Sequence, residues 1–115
     1  MAKKSFIILR LGLAVVFIWI GIAIFKDPLI WGGFLSPWAE KLLPFALRDV
    51  MLIVGVFDMS VGVFFLIPGF VRLASALGFL HLVGVLIVSN VTDVTIRDIG
   101  LAAMSLAVFI ESRYR

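Results

Sequence analysis

Two ionisable side chains stand alone inside long apolar runs. Asp58 interrupts residues 49–67 and His81 interrupts residues 71–90. Side chains of these types can hold or pass a proton, or offer a polar head group a hydrogen-bond donor and an acceptor. Each lies nine residues beyond a charged residue near the start of its run, Asp49 and Arg72 respectively. At 1.5 Å per residue, both stand roughly 13–14 Å from one end of their helix. Helices running in opposite directions across a layer of about 30 Å bring both groups near its middle. A third side chain, Arg10, interrupts residues 6–25. The expected ligand-binding spot is therefore Asp58, His81 and Arg10.

All three lie on stripes of small or apolar residues at helical spacing. Gly55, Asp58 and Gly62 share one stripe. Ala74, Gly78 and His81 share a second, and Arg10, Ala14, Phe17 and Gly21 a third. Small residues let helices approach closely and turn a neighbouring polar group inward. A charged aspartate at the centre of a bilayer costs about 2.5–3.5 kcal/mol on the gentler insertion scale, so Asp58 is expected to be paired or neutralised. Two readings of the spot stand side by side: a ligand or proton site, and a buried polar cluster that only fixes helix register. Taken alone, Arg10 reads as a cation whose head reaches the interface. Asp93, Arg97 and Asp98 form a separate set, with Asp93 one turn before Arg97. That set reads as a structural capping and salt-bridge cluster at the outer interface.

The elements that must carry these residues follow from composition. Of 115 residues, 63% are hydrophobic and only 15% charged. A soluble domain has about 45–50% apolar residues, so lipid is the expected solvent. Without cysteine there is no disulfide, thiol redox chemistry, thiolate metal site or c-type haem attachment. One histidine cannot supply both axial ligands of a haem within one subunit. Asp58 and His81 alone under-coordinate a metal. No H-E-x-x-H, G-x-S-x-G or phosphate-loop motif is present. No catalytic residue is assigned, and no metal or nucleic acid is expected. The net charge of +3 reads as loop bias, because no basic run with interleaved aromatics exists.

The expected architecture is all-α: a single integral membrane domain over residues 1–115, an antiparallel four-helix bundle. Its crossings are expected at about 6–25, 49–67, 71–90 and 96–111. The first is longer than the core of a cleaved signal and no A-x-A-like site follows it, so it is expected to remain as a crossing. Pro28 ends it. Residues 29–48 mix Trp31, Trp38, Pro37 and Pro44 with charge, which suits the headgroup layer. They are expected to form a loop and a short interfacial amphipathic helix over 37–43. Asp49 is the expected N-cap of the second crossing, Pro68-Gly69 a tight turn, and 91–95 a polar loop. Lys3, Lys4, Arg10, Arg72, Arg113 and Arg115 fall on one side, against Lys26, Lys41, Arg48 and Arg97 on the other. This bias predicts a multi-pass protein with both termini in the cytoplasm.

Three stretches carry a family resemblance. The first is Arg10-x-Gly12, Phe17-Ile18-Trp19-Ile20-Gly21, then Lys26-Asp27-Pro28 and Trp31. The second is Gly55-x-x-Asp58-x-x-x-Gly62 with Leu66, Gly69, Arg72 and Ala74. The third is Ile96-Arg97-Asp98-Ile99-Gly100-Leu101. Together they resemble the DoxX-like family of small four-helix membrane proteins. Two positions depart from it: Ile24 replaces a frequent basic residue, and Asp58 stands where glutamate is common. The resemblance implies a prokaryotic cytoplasmic membrane and, in some relatives, a subunit of a quinone-linked oxidoreductase. A quinone would then be the ligand, with Asp58, His81 or Arg10 meeting its oxygens, and a partner subunit would carry the redox centre. A structural or anchoring protein without ligand is the second reading, and a small transporter built as a homo-oligomer the third.

Overall fold

The computed structural model describes residues 2–89 and 92–112. The crossing limit at Asn90, the loop residue Val91, and Arg113 and Arg115 of the charge count lie outside the described residues. The chain is all-helical and has no strand among the described residues. Its elements are α1 (Lys3–Lys26), α2 (Pro28–Gly32), α3 (Pro37–Lys41), α4 (Leu47–Leu66), a 3-10 turn (Pro68–Phe70), α5 (Val71–Val88) and α6 (Asp93–Ser112). The body measures 43 × 22 × 22 Å, so the four long helices lie along one axis. Three segments are long and apolar enough to cross a membrane: Lys3–Lys26, Leu47–Leu66 and Pro68–Val88. α6 is more polar, because any 18-residue window of it holds Arg97, Asp98 and either Asp93 or Glu111.

Local chemistry sets the element ends, and several differ from expectation. Pro28 ends α1 but also opens α2, since a proline at the first helical position lacks only an amide that would be unpaired there anyway. Pro37 opens α3 in the same way, and α3 stops at Lys41 rather than reaching residue 43. Ala46, not Asp49, occupies the N-cap of α4. Asp49 lies in the first turn, where its carboxyl group faces the positive end of the helix dipole. Residues 93–95, expected as loop, are helical. Thr95 Oγ1 accepts the Thr92 amide at 2.7 Å and donates to the Thr92 carbonyl at 2.9 Å, while the Thr95 amide donates to Thr92 Oγ1 at 3.4 Å. This is a capping box with threonine in the place usually held by glutamate.

Glycine governs the closest helix contact. None of the described glycines has a positive φ, so close approach selects them rather than backbone freedom. A Cβ on Gly21 would lie 2.6 Å from the Gly55 carbonyl and 2.7 Å from the Met59 amide. One on Gly62 would lie 2.9 Å from both the Ala14 carbonyl and the Ile18 amide. α1 and α4 therefore touch backbone to backbone, antiparallel, with Asp58 level with about Ile20. α5 follows through the turn, where Gly78 faces Phe17 and Val61. α6 packs back along α5, and the Arg72 guanidinium lies 5.4 Å over the Phe109 ring. Phe17, Phe65, Val61, Leu13, Ala74 and Val108 fill the shared core.

Candidate functional site

A cavity of about 480 Å³ occupies the half of the molecule nearest α2 and α3. Its walls are apolar: Ile20 and Ile24 of α1, Met51 and Val54 of α4, and Val85 and Val88 of α5. Trp31, Phe34, Leu35, Trp38 and Leu42 roof it. The roof is joined to the end of α5 where the Ser36 amide donates to the Val88 carbonyl at 2.8 Å and Leu35 bridges Ser89. At the opposite end Asp58, His81, Arg97 and Asp98 converge. Phe17 belongs both to the lining and to the packed core, and so separates the two.

His81 Nε2 stands 3.1 Å from Asp58 Oδ1, an ion-pair separation. Even so, no N–H is aligned on that buried oxygen. The distance establishes the pairing, and the missing alignment leaves the oxygen short of a full hydrogen bond. The Phe57 ring braces His81 at 4.9 Å between centroids, tilted by 51°. On α6, Arg97 donates from Nε at 3.3 Å and from Nη2 at 3.0 Å, both to Asp98 Oδ1. The residues Asp58 and Asp98 are 3% and 4% exposed, whereas the Arg97 side chain is 41% exposed. The arrangement is two carboxyl groups at the bottom of an apolar well, each held by a basic partner. It can receive the polar head of an otherwise apolar molecule.

The residues singled out in sequence are regrouped. Asp58 and His81 meet. Arg10 does not join them: the glycine contacts set it opposite position 68, in the turn after α4, about 15 Å along the axis from Asp58. Among the described residues Arg10 makes no ion pair, and its buried Nε has no hydrogen-bond partner. Of the outer set, Arg97 and Asp98 turn into the cavity beside His81, and Asp93 stays exposed at the start of α6. Asp98 belongs to a buried stripe, Thr95, Asp98, Ala102 and Ser105, whose helical spacing is legible once α6 is known to begin at Asp93.

No family model, curated protein or solved structure matches the chain. Its function must therefore be read from the cavity. Among the described residues no group of three His, Cys, Asp or Glu side chains is disposed to hold a metal ion.

Proposed function

We propose that this chain is a DoxX-like integral membrane protein that binds a quinone or a similar lipid-soluble ligand. In this reading α1, α4, α5 and α6 cross a prokaryotic cytoplasmic membrane as an antiparallel four-helix bundle, with both termini in the cytoplasm. The bound ligand serves a partner oxidoreductase subunit that carries the redox centre, and no catalytic residue is assigned to this chain. Lipid around the bundle accounts for the large apolar side chains exposed along its length, among them Ile8, Val15, Trp19, Ile53, Leu80 and Ile87.

The observation that carries the reading is the cavity itself. Its volume lies within the ~300–1,000 Å³ range usual for small-molecule sites. It joins long apolar walls to one deep polar end, the outline of a molecule with a greasy tail and a ring bearing oxygen. Trp31 and Trp38 line it and report on it, while Trp19 is exposed on α1. The test is titration of the protein in lipid nanodiscs with a short-tailed benzoquinone, in oxidised and reduced form. Saturable tryptophan quenching by at least one form is expected, weakened about tenfold or more in His81→Ala, the loss expected for a hydrogen bond to a charged group. Unsaturated partitioning, the same in both proteins and in protein-free nanodiscs, sinks the proposal.

A further inference from the structure

We infer that the end of the bundle away from the cavity holds an anionic phospholipid by its phosphate, with Arg10 as the anchoring residue. The inference rests on the proposed membrane crossing and not on the ligand proposed for the cavity. Charge is the first observation. Residues 1–17, 62–80 and 101–115 carry Lys3, Lys4, Arg10, Arg72, Arg113 and Arg115 against one acid, Glu111. The four long helices bring the described parts of these segments to one end. One carboxylate does not neutralise six cations, so the remaining counter-charge comes from outside the chain.

Arg10 is the second observation. It shares the inner face of α1 with the buried Phe6, Leu13 and Phe17. Its Nε is enclosed and has no hydrogen-bond partner, whereas its terminal nitrogens are not enclosed. Among the described residues Arg10 makes no ion pair and no hydrogen bond. Packing thus holds the stem and leaves both Nη groups short of acceptors. A guanidinium offers paired N–H groups that match the oxygens of a phosphate. Arg72 stands at the same level: the contact of Gly78 with Val61 sets it opposite about position 67, against 68 for Arg10. Helical side chains lean toward the helix N-terminus, and α1 and α5 both begin at this end. Both arginines therefore lean toward the layer where lipid phosphates lie. Lys3, Lys4 and Arg72 are exposed around it, and basic clusters beside membrane helices attract anionic headgroups.

The experiment is native mass spectrometry of the protein released from nanodiscs made of equal parts phosphatidylglycerol and phosphatidylcholine. Wild type is expected to retain one phosphatidylglycerol about tenfold or more over phosphatidylcholine, the amount expected for hydrogen bonds to a charged group. Arg10→Gln should lose that preference, and Arg10→Lys should keep only part of it, because an ammonium lacks the paired donors. Lys3→Ala with Lys4→Ala removes more charge and should keep most of it. A larger loss in the lysine variant than in Arg10→Gln means diffuse attraction and overturns the site. Equal retention of the two lipids by wild type overturns it without any variant, also where Arg10→Gln fails to fold, and leaves the cavity's ligand untouched. Displacement of the lipid by an equal concentration of inorganic phosphate makes the occupant a free anion and overturns the lipid assignment. Failure of the wild-type protein to insert into nanodiscs overturns this site and the proposed membrane crossing together.

Discussion

Replacing Gly62 by alanine tests the contact on which the arrangement of helices depends. The added Cβ would stand 2.5 Å from Ile18 Cγ1 and 2.9 Å from both the Ala14 carbonyl oxygen and the Ile18 amide nitrogen. The isoleucine side chain can swing aside, but the two backbone atoms cannot. Comfortable contact needs about 3.5 Å, so α1 and α4 must separate by roughly half an ångström along their seam. Overpacking of this kind costs about 1–3 kcal/mol. Alanine also returns up to about 1 kcal/mol of helix propensity. That gain is common to any glycine in a helix, so a second variant removes it. Gly12, on α1, has nothing within 4 Å of its Cβ position. Gly62→Ala should therefore unfold about 1–3 kcal/mol more readily than Gly12→Ala, which in a small domain is a melting difference of several degrees. The assay is thermal unfolding of both variants in one detergent. Equal melting shifts would refute the backbone-to-backbone packing of α1 on α4, and with it the register that separates Arg10 from Asp58.

The buried pair should behave as a unit. His81→Leu alone is expected to lose about 3–5 kcal/mol because it strands the buried Asp58 carboxyl, while Asp58→Leu with His81→Leu should be close to neutral. Denaturant titration of all three proteins checks this, and additive losses would contradict it. Ser36→Pro should loosen the roof without strain of its own. Ser36 already has φ −66° and ψ 145°, which proline adopts, and the change removes the amide that donates to Val88. A single cysteine introduced at Val54 should then react faster with a water-soluble maleimide, and an unchanged rate would mean that the tie does not hold the roof. Thr92→Ala removes the cap of α6 and should lower stability by about 1 kcal/mol in the same melting assay, with no change tolerated only if the cap is redundant. Single cysteines at Ala2 and Phe45 should label from opposite faces of oriented membrane vesicles, Ala2 from the cytoplasmic face; labelling from one face would rule out the proposed topology.

The sequence carried the helices because apolar runs interrupted by proline and charge leave little else to form. It carried the meeting of Asp58 and His81 because two helices joined by a three-residue turn have only one way to run, and equal counts from charged ends fix equal depth. What it hid had two sources. Axial register between α1 and α4 depends on which glycines face which backbone, and Arg10 could not be placed without it. Proline at 28 and 37 reads as a stop, whereas each also starts a helix, so the roof appeared as loop and a single amphipathic helix. Thr95 is β-branched and looks like loop or strand, so the capping box at Thr92 was missed. With it went the phase of α6, which carries Asp98 and Arg97 toward His81. None of the roof aromatics could be assigned to a cavity, because their shared boundary is a tertiary property of α2, α3 and α5.

The Phe17 layer beneath the polar end has a consequence for traffic. Phe17 is buried against Phe65, with ring centroids 5.7 Å apart, and touches the helix across from it where Gly78 leaves room. On the core side the cavity therefore ends at this ring. Any relay of protons from the far side would require this ring to turn aside, and substituting Phe17 is where a dead-end vestibule could be converted into a thoroughfare.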